Sequence, residues 1–227
     1  MTVAESGMDV ALRLRDRQVI DVNGLMVCKV DDVEISAKGR RLQITGLLSG
    51  PPALLPRFAG RLGDSLLEQW RRLAPEQAGR AVPWRVDLRH IDRIDSAVHL
   101  SVERAELLIK PDAQHAPGTH HLNDLVGSRV LFDGERVGHV LDVRLASWTS
   151  TTHVDCTCLI VGRGRPGAML GYDRSPHMGP AMVGHAIRWL HRHTVLVDLS
   201  DVTRLDWDER EIEISRGVRE LAPISSQ

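Results

Sequence analysis

The sequence predicts a mainly β fold with minor α: two tandem small β-barrels, each with one short helix. Two observations predict it. Short apolar stretches end at turn residues, as strands do, and each half of the chain holds one longer stretch with helical spacing. The order of these stretches also occurs twice, which indicates a tandem duplication. A run of short strands hides its edges best by curling into a barrel, with the helix covering an open side.

The first half starts with the strand-like stretch "RQVID", followed by Asn23-Gly24, a pair that suits the two positive-φ positions of a tight hairpin. A long strand, "LMVCKVDDVEIS", and its neighbour "RLQITGLL" come next. After Pro51-Pro52 the apolar spacing becomes helical, which predicts a helix. We expect its apolar row to face the barrel: Leu54, Phe58, Leu62, Leu66 and Trp70. Short strands in "VPWRVDL", "HIDRID" and "AVHLSV" complete the half.

The second half repeats this order, with Asp133-Gly134 in place of Asn23-Gly24. Its long strand is "ERVGHVLDVRLA", the neighbour is "VDCTCLIVGR" and the helix is "PAMVGHAIRWLHRH". Near the end, "VDLSDVTRLD" aligns with "VDLRHIDRID" of the first half. Between the halves, "KPDAQHAPGTHH" is rich in Pro, Ala, Gly and His, which is typical of a linker. We therefore expect a first domain over 1–115 and a second over 116–227.

Composition indicates an ordinary globular chain: of 227 residues, 42% are hydrophobic and 26% are charged. The net charge of −1 produces no field that attracts nucleic acid, so direct binding to it is not expected. The sequence has no run of about 18 apolar residues, so it predicts no membrane span. The first residues carry acidic side chains and lack an apolar block, unlike a secretory signal, which predicts a cytoplasmic protein.

The repeated motifs resemble the PRC-barrel domain, a family named for the cytoplasmic part of the photosynthetic reaction centre H subunit. The same domain forms the C-terminal half of a ribosome-maturation factor. The resemblance lies in "VIDVNGLMVCKVDDVEI" and "VPWRVDLRHID" of the first copy, and in "VLFDGERVGHVLDVRL" and "VDLSDVTRLD" of the second. The first copy is most similar to PRC-barrels attached to magnesium-transporter-type intracellular domains. The resemblance implies a role in protein binding or assembly and no enzymatic activity.

The motifs of common enzymes are missing from the sequence, which has neither a G-x-S-x-G elbow nor a phosphate-binding glycine loop. We therefore expect neither an enzyme nor a cofactor. Cys156 and Cys158 alternate on one predicted strand face near His153, so they offer sulfur and nitrogen ligands for zinc. Free cysteines also pack well in a small barrel core, and we favour that interpretation over a metal site. The stretch "THH" at 119–121 is expected in a solvated loop.

The most site-like cluster lies on the second helix and just before it. It is cationic, has an aromatic side chain beside it, and includes His185, which can change charge near neutral pH. The candidate binding residues are Tyr172, Arg174, His177, His185, Arg188 and Arg192. The loop before this helix has no counterpart of the same length in the first half, and added loops are where a repeated scaffold often acquires a specific function.

These observations predict a non-enzymatic protein-binding or scaffolding module whose partner is another protein or a second copy of the chain. The family suggests an alternative, an accessory factor in ribosome or RNA maturation or in the regulation of ion transport. A second alternative is a metal-binding protein or an enzyme built around Tyr172, His177, His185 and the two cysteines of the second half.

Overall fold

A computed structural model describes residues 7–57, 61–73, 83–107, 118–146, 148, 152–162 and 194–217. The chain is mainly β with short helices, as the sequence predicts. We call residues 7–107 the first repeat and residues 118–217 the second repeat. Among the helices of these described ranges, none combines the length and apolar character that crossing a membrane requires.

The first repeat contains strands β1 to β8. They are β1 Met8–Asp9, β2 Gln18–Ile20, β3 Met26–Lys29, β4 Asp32–Lys38, β5 Arg41–Ser49, β6 Trp84–Asp87, β7 Ile91–Ile94 and β8 Val98–Leu100. The second repeat contains strands β9 to β15. They are β9 Thr119–His121, β10 Arg129–Phe132, β11 Glu135–Leu145, β12 Val154–Gly162, β13 Val195–Asp198, β14 Val202–Asp206 and β15 Glu211–Ile214.

The helices are short, apart from the third. They are α1 Val10–Leu14, α2 Pro51–Leu54, α3 Arg61–Leu73, α4 Arg104–Leu107 and α5 Leu122–Leu125. Within the described ranges, three turns of 3₁₀ helix lie at Leu55–Arg57, Leu88–His90 and Leu199–Asp201. The last two begin alike, because Asp87 and Asp198 each accept a hydrogen bond from the backbone N–H two residues later.

The two repeats pair their strands in the same pattern. In the first, the order is β3-β2-β8-β7, with β2 and β8 parallel and the other pairs antiparallel. In the second, the order is β11-β10-β15-β14, again with one parallel pair, β10 and β15. The duplicated sequence motifs therefore fold in the same way.

The turns between the first two strands of each pattern differ. β10 and β11 are joined by Asp133 and Gly134, both with positive φ (54° and 76°), as a tight hairpin requires. In the first repeat the loop is longer, and Gly24 (φ 79°) has positive φ while Asn23 does not. The prediction of two positive-φ positions at Asn23-Gly24 is wrong, because the side chain of Asp21 closes this loop instead.

The long strand predicted in the first repeat is broken in two, whereas β11 is continuous. The break between β3 and β4 falls at Val30 and Asp31. There the carboxylate of Asp31 turns aside to accept a hydrogen bond from the backbone N–H of Gly50 at 2.7 Å, just before α2. The sequence pattern does not distinguish the two cases, because the apolar residues alternate through the break.

The repeats exchange their first strands. β1 of the first repeat pairs with the end of β11, and β9 of the second repeat pairs with β4. β5 and β12 also pair directly, through Ile44 opposite Val154 and Gln43 opposite Asp155. One eleven-stranded sheet therefore runs through both repeats. The part of it formed by β1 and β10 to β15 curls into a half-barrel, and two separate closed barrels are not confirmed.

This exchange corrects one expectation about the segment between the repeats. The "THH" stretch at 119–121 is not a solvated loop, because it forms β9. Its imidazole at His120 stacks on Trp207, with the ring centroids 3.7 Å apart. The sequence pattern did not predict this strand, because histidine and threonine are common in loops as well as in strands.

The core is one continuous cluster that draws on both repeats. It includes Leu14 and Leu47 from the first and Val143 and Ile212 from the second, each almost fully buried. The helix predicted after Pro51-Pro52 is present as α2, a 3₁₀ turn and α3. Of its predicted apolar row, Leu66 does not face the core, because it remains 37% exposed and α3 packs mainly against the 3₁₀ turn. Phe58 and the side chain of Leu62 lie outside the described part of the chain.

Ile35 of β4 and Leu145 of β11 test the equivalence of the two repeats. Both are fully buried, and each lies opposite the exchanged strand from the other repeat, facing His120 and Met8 respectively. Ile35→Ala and Leu145→Ala should each lower the free energy of unfolding by about 3 kcal/mol, because each leaves a cavity in the shared core. Urea denaturation measures this, with Leu66→Ala as the exposed control; a large loss at only one position would contradict the equivalence.

Candidate functional site

The six candidate binding residues predicted from the sequence all lie outside the described residues, as does the helix that was expected to carry them. They are Tyr172, Arg174, His177, His185, Arg188 and Arg192. Their grouping into a site therefore stays a prediction. The described residues contain two other features that bear on function: an exposed apolar loop and a buried polar joint between the repeats.

The cysteines of β12 are placed in surroundings that disfavour the thiolate. Cys156 belongs to the core, and its burial raises the pKa of its thiol to about 12. Burial also raises the pKa of the half-buried Cys158, while His153 is exposed. Zinc binds the thiolate, so these thiols are poorly prepared for it. Among the described residues, no three His, Cys, Asp or Glu side chains are grouped closely enough to hold a metal ion.

The first feature is the loop that joins β2 to β3 together with the first residue of β3, residues 21–26, which we call the apolar tip. Three large apolar side chains are exposed on it: Val22 by 57%, Leu25 by 47% and Met26 by 50%. Single exposed apolar residues are ordinary on protein surfaces. Here three lie within five consecutive residues, and apolar exposure grouped in this way is typical of interaction sites.

Asp21 holds the apolar tip in one conformation. Its side chain is buried, and its Oδ1 accepts hydrogen bonds from the backbone N–H groups of Asn23 at 3.0 Å and Leu25 at 2.8 Å. Burial opposes ionisation, but the backbone donors, led by Leu25, outweigh it and leave the pKa of Asp21 below its ordinary value. A second anchor joins Val22, whose N–H donates to the carbonyl of Val102 at 3.2 Å.

The second repeat has no such tip at the equivalent place. Its two-residue turn is flanked by Phe132, which is half-buried, and by the exposed polar residues Glu135 and Arg136. The scaffold is therefore shared, but the two hairpin ends present different chemistry to a partner. An ordered loop also binds at lower entropic cost than a flexible one, because fewer conformations are lost.

The second feature is a pair of buried aspartates, Asp32 and Asp142, which occupy equivalent places. Asp32 lies opposite Leu48 of β5, Asp142 lies opposite Ile160 of β12, and each directly precedes a valine on its strand. Both side chains point at the first helix of the other repeat. We call this pair, with the helix ends it contacts, the reciprocal joint.

Asp142 caps α1 from across the joint. Its carboxylate accepts hydrogen bonds from the N–H groups of Ala11 at 2.7 Å and Leu12 at 3.0 Å. The residue just before the helix, Asp9, would ordinarily serve as the cap, but its side chain is bound to Arg144 at 2.6 and 3.1 Å. Burial raises the pKa of Asp142 to about 6, against the opposing effect of the backbone donors.

Asp32 performs the matching role for α5. Its Oδ2 accepts from the N–H of Asn123 at 3.4 Å, while Arg15 lies 3.3 Å from its Oδ1. Arg15 also donates to the side-chain oxygen of Asn123 at 2.8 Å, so one guanidinium joins both repeats. Burial raises the pKa of Asp32, and the charge of Arg15 is the largest effect that opposes it.

The two predicted long strands, "LMVCKVDDVEIS" and "ERVGHVLDVRLA", each contain Asp-Val, at Asp32-Val33 and Asp142-Val143. The signal was present, since an acidic residue recurs at a position that the alternation of the strand assigns to the interior. Its partner was hidden, because Ala11 and Asp142 are 131 residues apart in the chain.

Neither a scan against models of known protein families nor a search of curated proteins finds a match to this chain.

Substitution of Asp21 should loosen the apolar tip without unfolding the protein. In Asp21→Ala the N–H groups of Asn23 and Leu25 lose their acceptor, so their amide exchange should rise by about tenfold or more. Hydrogen exchange followed by NMR measures this. Asp21→Asn is the matched control, because it keeps one acceptor oxygen at the same place. Unchanged exchange at Leu25 in the alanine variant would show that the loop is held by other contacts.

Removing Arg15 should destabilise the reciprocal joint strongly. Arg15→Ala leaves the fully buried carboxylate of Asp32 without its cation, which should cost about 3 kcal/mol of unfolding free energy in urea denaturation. Arg41→Ala is the matched control, since it breaks a solvent-exposed pair with Asp155 across the same two repeats. That loss should be much smaller, because water screens the pair. Equal losses in the two variants would contradict the importance of the buried contact.

Proposed function

We propose that this chain is a non-enzymatic protein-binding or scaffolding module that acts in the cytoplasm. On this proposal its two repeats are PRC-barrel-type units fused into one body, and the apolar tip of the first repeat is the surface that a partner protein contacts. The motif resemblance supports the family assignment, and the shared strand-pairing pattern agrees with two copies of one unit.

The observation that carries the proposal is the exposure of Val22, Leu25 and Met26 on a loop that Asp21 keeps ordered. Burying the exposed half of such side chains contributes about 1 kcal/mol each. Three together contribute about 3 kcal/mol, which corresponds to an affinity gain of about a hundredfold. Such a contribution suits the apolar centre of a protein interface that also includes polar contacts at its rim.

The described residues near the tip favour binding over chemistry. Asp21 uses its carboxylate oxygens on backbone N–H groups, so it is occupied as a structural acceptor. The thiol of Cys28 on β3 has a pKa raised by burial, which suppresses the nucleophilic thiolate. A partner with an apolar surface complements this loop better than a small polar substrate does.

Affinity capture from the native cytoplasm tests the proposal. A tip variant, Leu25→Ser combined with Met26→Ser, is compared with the wild type and with Leu66→Ser, which removes an exposed apolar side chain elsewhere. We expect the wild type and the control to capture the same protein at low and high salt, because apolar contacts are not screened. The tip variant should retain less than about a tenth of it.

Two results would contradict the proposal. If the tip variant captures the same protein equally well, the binding surface lies elsewhere. If the captured material is ribosomal and is lost on nuclease treatment, the chain is an RNA-linked accessory factor instead. Light scattering of the same three proteins distinguishes a second copy of the chain from a different partner, since self-association appears in the purified sample.

A further inference from the structure

We propose that β1 and α1 form a latch on the second repeat that opens more readily as the pH rises from mildly acidic to neutral. The latch consists of residues 8–14 and closes against β11, with Asp142 as its receiver. This inference concerns the reciprocal joint and does not depend on the proposed binding role of the apolar tip.

The latch is small enough to open without unfolding the rest. β1 pairs with β11 through only two residues, Met8 opposite Leu145 and Asp9 opposite Arg144. α1 has five residues, which is far too short to be stable as an isolated helix. Its attachment therefore comes from the two buried side chains, Val10 and Leu14, from the hydrogen bonds at Asp142, and from the ion pair between Asp9 and Arg144. Segments with few contacts of this kind open locally, below the free energy of global unfolding.

The charges around Asp142 leave it without a bound cation among the described residues. Asp9 of β1 lies nearby and disfavours ionisation. The positive charge of Arg144 on β11 also reaches Asp142, although its guanidinium donates its hydrogen bonds to Asp9. Cys156 of β12 is the third titratable neighbour, and its thiol is neutral near pH 7. The hydrogen bonds to the Asp142 carboxylate come from backbone N–H groups, those of Ala11, Leu12 and the adjacent Val143.

The direction of the pH dependence follows from the difference between the closed and open states. In the closed latch burial raises the pKa of Asp142 to about 6, whereas an exposed aspartate has a pKa of 3.8. The closed state therefore binds the proton more tightly, and acidification stabilises it. The stabilisation is complete below pH 3.8 and is lost as the pH rises to about 6. Between about pH 5 and about pH 8 the opening equilibrium constant should rise by about tenfold.

Opening has a structural consequence on the second repeat. It withdraws the partner strand from Arg144 and Leu145, so the end of β11 becomes a free strand edge. A free edge accepts another strand, including β1 of a second copy of the chain. The same movement releases Arg144 from Asp9, since this ion pair joins the latch to β11.

Amide hydrogen exchange of the full-length protein between pH 5 and pH 8 tests the latch. After correction for intrinsic exchange rates, the opening constant at Ala11 and Leu12 should rise by about tenfold across this range. Amides in the centre of the sheet, such as those of Leu47 on β5 and Leu159 on β12, should keep protection that is both higher and separate from that of the latch. Asp142→Asn should flatten the pH dependence at Ala11 and Leu12, because the amide side chain does not titrate. Asp133→Asn, at an exposed turn of the same repeat, should leave it unchanged.

Three results would overturn the proposal. The first is protection at Ala11 and Leu12 that does not change with pH in the wild type, a measurement that needs no variant to fold. The second is protection at these amides that follows the sheet centre at every pH, which would mean that the segment opens only by global unfolding. The third is a pH dependence in Asp142→Asn equal to that of the wild type, which would assign the titration to another group.

Discussion

The structure depends on a reciprocal exchange: each repeat supplies the strand that completes the other and the aspartate that caps the other's first helix. Asp142 holds α1 through Ala11 and Leu12, and Asp32 holds α5 through Asn123. A buried carboxylate is costly to desolvate unless donors surround it. The chain meets that requirement with N–H groups that a helix end leaves unpaired, so each carboxylate and each helix end satisfies the other.

This exchange explains why the same short motif is present twice. A single copy would expose the edge of its long strand and leave the first N–H groups of its short helix without acceptors. Two copies face each other across β5 and β12, so that each covers the other's edge. The joint is not fully symmetric, since Arg15 neutralises Asp32 while Asp142 relies on backbone donors. The two aspartates therefore share a position but differ in the groups that bind them.

Local patterns were sufficient to predict much of the fold. Alternating apolar residues identified the β character, and the repeated order of motifs anticipated the repeated pairing of strands, because both depend on residues close in sequence. Local patterns do not predict which strand an edge strand pairs with. β9 offers the same backbone groups to either repeat, so its pairing with β4 depends on the packing of both repeats. The break at Asp31 and the loop closed by Asp21 were not predicted for a related reason. In each case the hydrogen bonds of one side chain override the local backbone preference.

The candidate site illustrates the same division between local and distant information. The exposure of Val22, Leu25 and Met26 depends on which other segments cover the hairpin. The described residues leave these side chains exposed, and the sequence alone does not reveal this. Cys156 shows the opposite case. Its alternation with Cys158 suited both a ligand pair and a core, and only its burial in the shared core distinguished the two.

The separation of 131 residues between Ala11 and Asp142 also orders events during synthesis. A ribosome adds about 5–20 residues per second, so the first helix waits on the order of ten seconds for its cap to be made. During that time the N-terminal segment has no acceptor, and β4 has no neighbour on one side. The first repeat therefore cannot be completed as an independent unit while the chain grows. Its folding is completed only when the second repeat has been synthesised. In this respect the nascent first repeat resembles one subunit of an obligate dimer before its partner binds.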